Sequence, residues 1–367
     1  MTQPVPKLKI MIVVPTLICG GLERNISIIC NNIDNSKFDV TLAILDNSFQ
    51  FFEITNKAVK VIDLKVVNVR KSLLKILKLS RDIKPDIILT AANHLNLLFA
   101  MFKWMFPKRI KILGRESSIV SINTKRAKFA ALHNRLLKVF YRRLDLIICQ
   151  SKYMQNDLIK NYSIHINKTC IINNAVATPY IDHDPEIDPH NAIPQLITVA
   201  RLSEEKGIDR LIRSVSKLDI PFKYTIIGEG ESRKQLENLI TSLSLQEKVF
   251  LAGRSKKPFA QVSNPDLFLM GSYYEGMPNV LLEAGSVGIP SVAFDSPGAV
   301  REVVSNDING FLVPDGDEQA FADTIVKALS TRFNRKSIID ETLRKYSPEI
   351  IIKQVESTLL NFAPANE

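Results

Sequence analysis

Short runs of branched apolar residues alternate with segments of helical periodicity along most of the chain. In the first half these runs are KIMIVV, VTLAIL, VKVIDL, DIILTA, KILG, LDLIIC and TCIIN. In the second half they are QLITVA, YTIIGEG, KVFLAG, DLFLM, PSVAF and GFLVP. Helical segments separate most of them, as in residues 231–243, where Leu236, Leu239 and Leu243 share one face. Strands that alternate with helices predict parallel sheets covered on both faces, and therefore an α/β fold made of two doubly wound domains.

A proline-rich and acidic segment separates the two series of strands. Residues 178–194, TPYIDHDPEIDPHNAIP, lack apolar periodicity and are typical of a linker. We therefore predict a first domain at 1–180, a linker at 181–194 and a second domain at 195–346. Residues 347–367 open with Ser-Pro-Glu and continue as an amphipathic helix.

The composition is that of a folded protein with a large core. The chain has 367 residues, 46% of them hydrophobic, and its longest apolar run is far shorter than the ~20 residues that span a bilayer. The start, MTQPVPKLKI, lacks the pattern of a signal peptide, so we expect a cytoplasmic protein. The cysteines lack the paired spacing of a metal site and are expected to be reduced and buried. They are Cys19, Cys30, Cys149 and Cys170.

Positive charge is concentrated in the first half of the chain. The formal net charge is +10, but residues 1–190 carry 28 Lys and Arg against 15 Asp and Glu, whereas the remainder carries 20 against 23. Residues 87–144 alone hold twelve cations and a single acid, Glu116. That one stretch accounts for the excess of positive charge.

The segment YYEGMPNVLLEAGSVGIP, residues 273–290, carries the most specific signal. A glycine-proline turn runs into a helix that is apolar almost all round except for Glu283. A buried carboxylate is costly unless it accepts hydrogen bonds, so we expect Glu283 to be desolvated and to bind ligand hydroxyls, such as those of a ribose. Pro278 suits the first helical position, and the amides of Asn279 and Val280 would then point outward and attract phosphate.

Here the chain resembles the retaining nucleotide-sugar glycosyltransferases of family 4, whose signature is two glutamates separated by seven residues at such a turn and helix. Glu275 and Glu283 have this spacing. The resemblance extends over nearly the whole chain and is most specific over residues 196–317. It implies a GT-B fold, in which two Rossmann-like domains face each other across a cleft and the last helix packs back onto the first domain.

The resemblance also implies a pair of cations that grips the donor diphosphate. Arg201 lies at the end of the strand QLITVA, and Lys206 lies in the loop that enters the next helix. Fixed cations and amides can stabilise a leaving diphosphate without a metal, so no cofactor is expected. A UDP-sugar is the favoured donor. By resemblance, Arg201, Lys206 and Glu275 are the catalytic residues, and the leaving phosphate takes the proton of an acceptor that attacks from the same face.

Glycine-containing loops complete the predicted donor site. Gly20 and Gly21 stand between the first strand and the first helix, where they suit either the close approach of a phosphate or a plain tight turn. Gly228, Gly253 and Arg254 follow strands of the second series and resemble the family's segments near the nucleotide. The predicted donor-binding residues are Gly20, Gly21, Gly228, Gly253, Arg254, Gly276, Met277, Pro278, Asn279, Val280 and Glu283.

An Asp-x-Asp pair, Asp315 and Asp317, raises the alternative of a metal-dependent transferase of the other major fold. The pair follows the strand GFLVP and comes just before the helical segment QAFADTIVKAL. Aspartates at such a position cap the exposed amides of a helix. We therefore interpret the pair as structural and predict no metal site.

The chain departs from the family at a histidine that contacts the donor sugar in many members. After the strand KILG it has Arg115, Glu116 and Ser117 instead. Glu116 either pairs with Arg115 or touches hydroxyls of the sugar or the acceptor. His94, after the strand DIILTA, is a second candidate for such a contact, or else a satisfied structural residue.

Residues 126–143, RAKFAALHNRLLKVFYRR, fit a single amphipathic helix within the basic stretch. Its apolar side would carry Phe129, Leu132, Leu136 and Phe140. Trp104 adds an aromatic ring among the preceding cations. Basic residues beside aromatic ones suit an anionic membrane, so we predict that residues 87–144 dock the first domain peripherally on the inner leaflet. The alternative is a core-facing helix with a solvated charged face, and the sequence contains no nucleic-acid recognition module.

Together these features predict a retaining hexosyltransferase that moves a sugar from a nucleotide-diphosphate sugar to a lipid-linked glycan. Its pathway would be the synthesis of a surface polysaccharide, such as lipopolysaccharide O-antigen or capsule. Two rivals stay open: a nucleotide-sugar 2-epimerase of similar fold, and a catalytically silent partner subunit that binds a nucleotide sugar or a membrane. The basic first domain disfavours the epimerase, and the presence of the glutamates and cations disfavours the silent partner.

Overall fold

The computed structural model describes residues 6–18, 20–66, 69–126, 129–176 and 192–363. The chain divides into two units, one made of Met1–Ala175 with Pro348–Glu367 and the other of Val176–Ser347. Most of the predicted linker at 181–194 lies outside the described residues.

Each strand run of the sequence forms a strand, which confirms the α/β prediction. The first unit contains β1 (Leu8–Val14), β2 (Phe38–Ile44), β3 (Lys60–Asp63), β4 (Ile87–Ala91), β5 (Lys111–Arg115), β6 (Leu146–Cys149) and β7 (Thr169–Ile171). They pair in parallel in the order β3-β2-β1-β4-β5-β6-β7. The central strand β4 is buried along its whole length, as expected where helices cover both faces.

The second unit repeats this architecture with a smaller sheet. Its strands are β8 (Gln195–Val199), β9 (Lys223–Ile227), β10 (Val249–Gly253), β11 (Leu267–Met270), β12 (Ser291–Phe294) and β13 (Gly310–Val313). They also pair in parallel, in the order β10-β9-β8-β11-β12-β13. In both sheets the chain order reverses direction beside the first strand of the unit. Ligands of such folds bind at the carboxyl ends of the strands near this reversal.

Helices connect most of the strands. Those of the first unit are α1 (Gly21–Asn32), α2 (Val69–Ile83), α3 (Asn93–Met101), α4 (Val120–Arg126), α5 (Ala130–Phe140) and α6 (Lys152–Tyr162). Those of the second unit are α7 (Ile208–Val215), α8 (Arg233–Ser242), α9 (Asn279–Ser286), α10 (Val300–Val303), α11 (Glu318–Ser330) and α12 (Arg335–Tyr346), after which α13 (Pro348–Leu360) belongs to the first unit. Within the described ranges, no helix is both long and apolar enough to cross a membrane.

The last helix, α13, completes the core of the first unit. Its buried stripe of Ile351, Val355 and Leu359 joins the apolar side chains of β1, β2 and α1 in one cluster. The amide of Asp34 donates to Glu356 Oε1 at 2.8 Å across 322 residues of sequence. The end of the chain therefore covers one face of the sheet that the beginning of the chain builds.

The basic segment 126–143 does not form the single helix that its pattern suggested. It contains the end of α4, then α5 from Ala130, then a 3₁₀ turn at Tyr141–Arg143. The predicted apolar side is also wrong, because Phe129 and Leu132 are 70% and 58% exposed. Because α4 ends at Arg126 and α5 begins at Ala130, the two helices need not share one phase, and α5 buries Leu137 instead.

Candidate active site

The structure brings two of the predicted catalytic residues into direct contact. Lys206 ends a short 3₁₀ turn between β8 and α7, and Glu275 lies between β11 and α9. Lys206 Nζ donates to Glu275 Oε1 at 2.6 Å, and the two side chains are 24% and 12% exposed. Water screens such a partly buried pair weakly. The ammonium and the carboxylate therefore form one preorganised charged unit beyond the carboxyl ends of β8 and β11.

Two close backbone contacts explain why these turns meet. Gly207 has φ +56°, and a Cβ there would lie 2.0 Å from the carbonyl oxygen of Gly271. Gly298 has φ +128°, and a Cβ there would lie 1.7 Å from the carbonyl oxygen of Glu275. Only glycine allows both approaches, so the turn that carries Glu275 is held from two sides.

A serine that the sequence analysis did not single out also contacts Glu275. Ser272 Oγ donates to Glu275 Oε1 at 2.7 Å. This bond and the one from Lys206 meet on the same carboxylate oxygen, and within the described residues Oε2 accepts no hydrogen bond. That second oxygen keeps its capacity to accept a hydrogen bond. The only signal in the sequence was the position of Ser272, three residues before the glutamate.

Arg201, the third predicted catalytic residue, contacts a different carboxylate. Its side chain is 67% exposed, and Nη2 lies 3.1 Å from Glu205 Oε1. Ser203 Oγ donates to the same oxygen at 2.8 Å. Burial raises the pKa of Glu205, but the hydrogen bond from Ser203 and the charges of Arg201 and Lys206 outweigh it and lower the pKa overall. Glu205, which the sequence analysis also missed, therefore holds Arg201 on the turn that presents Lys206.

The helix after the glycine-proline turn begins one residue later than predicted. Pro278 is the N-cap residue and α9 starts at Asn279. The amide of Asn279 donates to Met277 O at 3.0 Å, so it is not one of the outward amides we expected. Gly276 and Met277 are buried, and the Met277 side chain belongs to a small apolar cluster.

Glu283 on α9 is half-buried, less than the apolar pattern of the helix suggested, and its binding of ligand hydroxyls stays a prediction. The helix buries its neighbours Leu282 and Ala284 but leaves the glutamate partly in solvent. Val280 is partly buried and packs on an apolar cluster under the helix. A half-buried carboxylate does not need a ligand to offset desolvation. Glu283 nevertheless remains accessible to one.

Gly228 follows β9 and packs against the residue before Arg201, whereas Gly253 is the last residue of β10. A Cβ on Gly228, which has φ +155°, would lie 1.7 Å from the carbonyl oxygen of Ala200. The amide of Gly228 also donates to Gly253 O at 2.8 Å. Arg254 follows with an exposed side chain. The structure thus gives Gly228 a packing role in shaping the turn that carries Arg201.

In the first unit, a carboxylate lies over the predicted glycine loop. Gly20 is the N-cap residue of α1, which begins at Gly21. A Cβ on Gly20 would lie 2.3 Å from Glu23 Oε2, and Thr16 Oγ1 donates to the other carboxylate oxygen at 3.4 Å. Burial raises the pKa of Glu23. A phosphate that bound at this helix start would have to displace the Glu23 side chain.

The Asp-x-Asp pair has two separate structural partners. Asp317 is the N-cap residue of α11, and its Oδ1 accepts from the amide of Ala320 at 2.9 Å. Asp315 does not cap the helix; its Oδ1 accepts from Arg210 Nη1 at 2.7 Å. Among the described residues, no group of three or more His, Cys, Asp or Glu is placed to hold a metal ion.

Glu116 is the centre of a buried polar network in the first unit. It is fully buried and accepts hydrogen bonds from Asn96 Nδ2 at 2.6 Å and Tyr141 Oη at 2.7 Å. Arg115 donates instead to Asn25 Oδ1 at 3.1 Å. The predicted Arg115–Glu116 pair is therefore wrong, because consecutive residues of an extended chain point to opposite faces. Its burial also leaves Glu116 no surface on which a sugar or acceptor could lie.

His94 lies in the first turn of α3, beside this network, and its side chain is exposed. The preceding residue, Asn93, donates to Tyr141 Oη at 2.7 Å, and its Oδ1 lies 3.0 Å from His133 Nε2. Of the two residues predicted to touch sugar or acceptor, His94 is the one with accessible surface.

We expect Glu116 to make the stability of the protein depend on pH. Burial raises its pKa, so the folded state binds a proton that the unfolded state releases above an ordinary carboxyl pKa of about 4.3. The stabilisation of the folded state by protonated Glu116 is fully present below that pH, and it is lost as the pH rises through the raised pKa of the folded state. Over that window the free energy of unfolding should fall by up to about 1.4 kcal/mol per pH unit.

Urea unfolding of wild type and Glu116→Gln checks this dependence of stability on pH. The measurements cover about four pH units, from about pH 4 to about pH 8, in which a carboxyl group of raised pKa titrates. The glutamine variant should show a flatter profile. Glu341→Gln is the control, because Lys345 and Arg344 lower the pKa of this partly exposed glutamate and the effect has the opposite sign. Identical profiles for wild type and Glu116→Gln would contradict the assignment.

Two family models match the chain. The model "Glycosyl transferases group 1" matches residues 184–345, and "Glycosyltransferase Family 4" matches residues 19–179. Together they span most of the chain, which belongs to this family of glycosyltransferases. The two parallel α/β sheets in separate units agree with the GT-B architecture of the family.

Two named relatives align with most of the chain. It is 28% identical over 322 residues to the N-acetylgalactosamine-N,N'-diacetylbacillosaminyl-diphospho-undecaprenol 4-alpha-N-acetylgalactosaminyltransferase of Campylobacter jejuni, which covers 85% of this chain and 87% of the relative. It is 24% identical over 356 residues to the amylovoran biosynthesis glycosyltransferase AmsD of Erwinia amylovora, which covers 91% and 94%.

Solved glycosyltransferase structures share the fold. The lipopolysaccharide outer core galactosyltransferase WaaB superposes with a TM-score of 0.77 at 17% identity, covering 96% of this chain and 99% of its own. HepE of Anabaena in complex with UDP superposes with a TM-score of 0.78 at 19% identity, covering 96% and 100%. These similarities support the GT-B fold of the chain.

Proposed function

We propose that this glycosyltransferase retains the anomeric configuration and transfers a sugar from a nucleotide-diphosphate sugar to a lipid-linked glycan, in the synthesis of a surface polysaccharide. Relatives support the substrate classes: the Campylobacter enzyme is named for a diphospho-undecaprenol acceptor, and HepE was solved with UDP-glucose. The donor binds to the second unit, and the reaction needs no metal.

The contact between Lys206 and Glu275 carries the proposal for the donor site. A departing nucleoside diphosphate gains negative charge, and a fixed ammonium in a weakly screened site stabilises that charge without reorganisation. Glu275 orients the ammonium through Oε1 and offers Oε2 to a sugar hydroxyl. Arg201, exposed on the adjoining turn, supplies a second cation to the diphosphate. The half-buried Glu283 is placed one turn into α9, where it accepts hydrogen bonds from the nucleoside.

Release of nucleoside diphosphate from uridine, guanosine and adenosine diphosphate sugars tests the donor class. The wild-type protein is incubated with each donor, with EDTA, and with or without a lipid-linked acceptor. We expect release with one donor in the presence of EDTA, and NMR of the product should show the anomeric configuration of the donor. Inverted product, or activity restored only by a divalent cation, would contradict the proposed reaction.

A mixed apolar and basic stripe on α5 supports docking of the first unit on an anionic membrane. Leu132, Arg135, Val139 and Arg142 are all exposed and follow at spacings of three, four and three residues, so they share one side of the helix and its 3₁₀ extension. Trp104, 74% exposed, lies on the 3₁₀ turn that follows α3, which itself contacts α5. Such a surface inserts apolar side chains at the headgroup level while the cations attract anionic lipid. The protein would thus be cytoplasmic and peripheral to the inner leaflet.

Vesicle flotation should show binding to phosphatidylglycerol vesicles at low salt and little binding to phosphatidylcholine vesicles. Leu132→Glu combined with Val139→Glu should lower the partition coefficient about tenfold or more, because it replaces two inserting side chains with charges that the surface repels. Ile308→Glu is the matched control, since Ile308 is equally exposed but lies in the second unit. Equal binding by all three proteins would exclude this stripe as the docking surface.

A further inference from the structure

Arg210 is a buried arginine whose guanidinium binds the main chain just before Glu275. Only 4% of the residue is exposed. Its Nε donates to Gly271 O and its Nη2 donates to Ser272 O, both at 2.5 Å. These carbonyls follow the last residue of β11, where the sheet no longer supplies hydrogen-bond partners. The arginine therefore replaces the sheet as the partner of this part of the turn.

Three further contacts fix the guanidinium itself. Its centre lies 4.2 Å from the ring centroid of Tyr273 and 4.1 Å from that of Phe294, so it contacts two aromatic rings. Asp315 completes the arrangement by accepting from Nη1 at 2.7 Å. The planar fork is needed here, because the three donors of a lysine sit on one tetrahedral nitrogen and cannot reach two carbonyls and a carboxylate that lie around one plane.

The segment that Arg210 holds is the one that presents the donor-site carboxylate. Ser272, whose carbonyl accepts from Arg210, donates through its own Oγ to Glu275 Oε1. Lys206 donates to the same oxygen, and only three residues separate it from Arg210 along the chain. Arg210 thus fixes the main chain that carries Ser272, one partner of Glu275, and lies close in sequence to Lys206, the other partner.

We propose that Arg210 is a positioning residue for the Lys206–Glu275 pair, acting through the main chain of Gly271 and Ser272. This inference rests on the roles proposed for Lys206 and Glu275 in transfer. We also infer a role for Asp315, one residue of the Asp-x-Asp pair: its carboxylate orients the guanidinium of Arg210. A displacement of about 1 Å at a reacting group can cost about 10²-fold in rate, so the effect on turnover is large.

Arg210→Lys tests the proposal, with Arg213→Lys as control because Arg213 is an exposed arginine on the same helix. We expect Arg210→Lys to lower kcat about 10²-fold, with a much smaller change in the KM for the donor, and the control to match wild type. The double variant with Ser272→Ala should be no worse than about threefold below the poorer single variant, because both changes act on one carboxylate.

Hydrogen exchange of the peptide spanning residues 271–276 gives a readout that needs no activity. Arg210→Lys should speed exchange there about tenfold while the rest of the second unit exchanges as in wild type. If the wild-type protein turns over no donor, the proposed function fails, yet this measurement still decides whether Arg210 orders the turn.

Wild-type kcat and wild-type exchange in Arg210→Lys would overturn the proposal. So would losses in kcat that multiply fully in the double variant, since this is the behaviour of two independent structural changes. If Arg210→Lys does not fold, Asp315→Asn decides, because it removes the ion pair and leaves both carbonyl contacts. That variant should lose about three- to tenfold in kcat and exchange faster at 271–276, and unchanged values would overturn the proposal.

Discussion

Replacing Lys206 with alanine is expected to lower kcat for sugar transfer by about 10²- to 10³-fold, the usual effect of removing one preorganised donor to a developing negative charge. The ammonium lies 2.6 Å from Glu275 Oε1 in a partly buried site, so water cannot replace it at full strength. The variant should still fold, because the Gly207 and Gly298 contacts that shape the two turns involve main chain and remain. Steady-state rates of nucleoside diphosphate release measure the effect.

Lys217→Ala is the matched control for this experiment. Lys217 lies in the same unit and pairs with Glu318 at 3.9 Å. Its replacement therefore removes an equal charge at a place that does not contact the proposed donor site. Its kcat should remain within about twofold of wild type. If Lys206→Ala kept a kcat within about threefold of wild type, the ammonium would not be the group that stabilises the leaving diphosphate.

Gly298→Ala should destabilise the second unit by about 3 kcal/mol or more and abolish most transfer activity. A Cβ at this position would lie 1.7 Å from the carbonyl oxygen of Glu275, and φ is +128°. The neighbour is backbone, so it can give way only if the Glu275 turn moves. Urea unfolding of the purified variant, monitored by fluorescence, measures the loss of stability. The rate of nucleoside diphosphate release measures the loss of activity.

Gly316→Ala separates the steric clash from the cost of positive φ. Gly316 has φ +84°, but a Cβ there would have no atom within 4 Å. Its replacement should therefore cost only about 1 kcal/mol and leave transfer unchanged. Equal destabilisation by the two variants would show that the contact with Glu275 does not constrain the turn.

The strands could be predicted from sequence because each is a short, almost wholly apolar run bounded by turns. Burial on both faces of a parallel sheet demands that pattern, and β4 and β11 show it throughout. Helix α5 could not be predicted in the same way. Its exposed side carries apolar residues such as Leu132, so periodicity alone pointed the wrong side of the helix inward.

The candidate site was accessible from sequence only where a family pattern marks it. Lys206 and Glu275 stand 69 residues apart, and no local rule joins them. Ser272 and Arg210 carry no pattern of their own, because their importance comes from turns that bring a hydroxyl and a guanidinium to one segment. By contrast, the separation of Arg115 from Glu116 is predictable, since neighbouring side chains of an extended chain point to opposite faces.

The return of α13 to the first unit affects how the protein forms during synthesis. The first unit needs Ile351, Val355 and Leu359 to cover its sheet, yet these residues follow the whole of the second unit in the sequence and are translated after it. The second unit, Val176–Ser347, is complete in sequence before they appear. During synthesis the second unit is therefore the first whose residues are all available for folding. A fragment that ends near residue 175 lacks α13 and keeps an uncovered apolar surface.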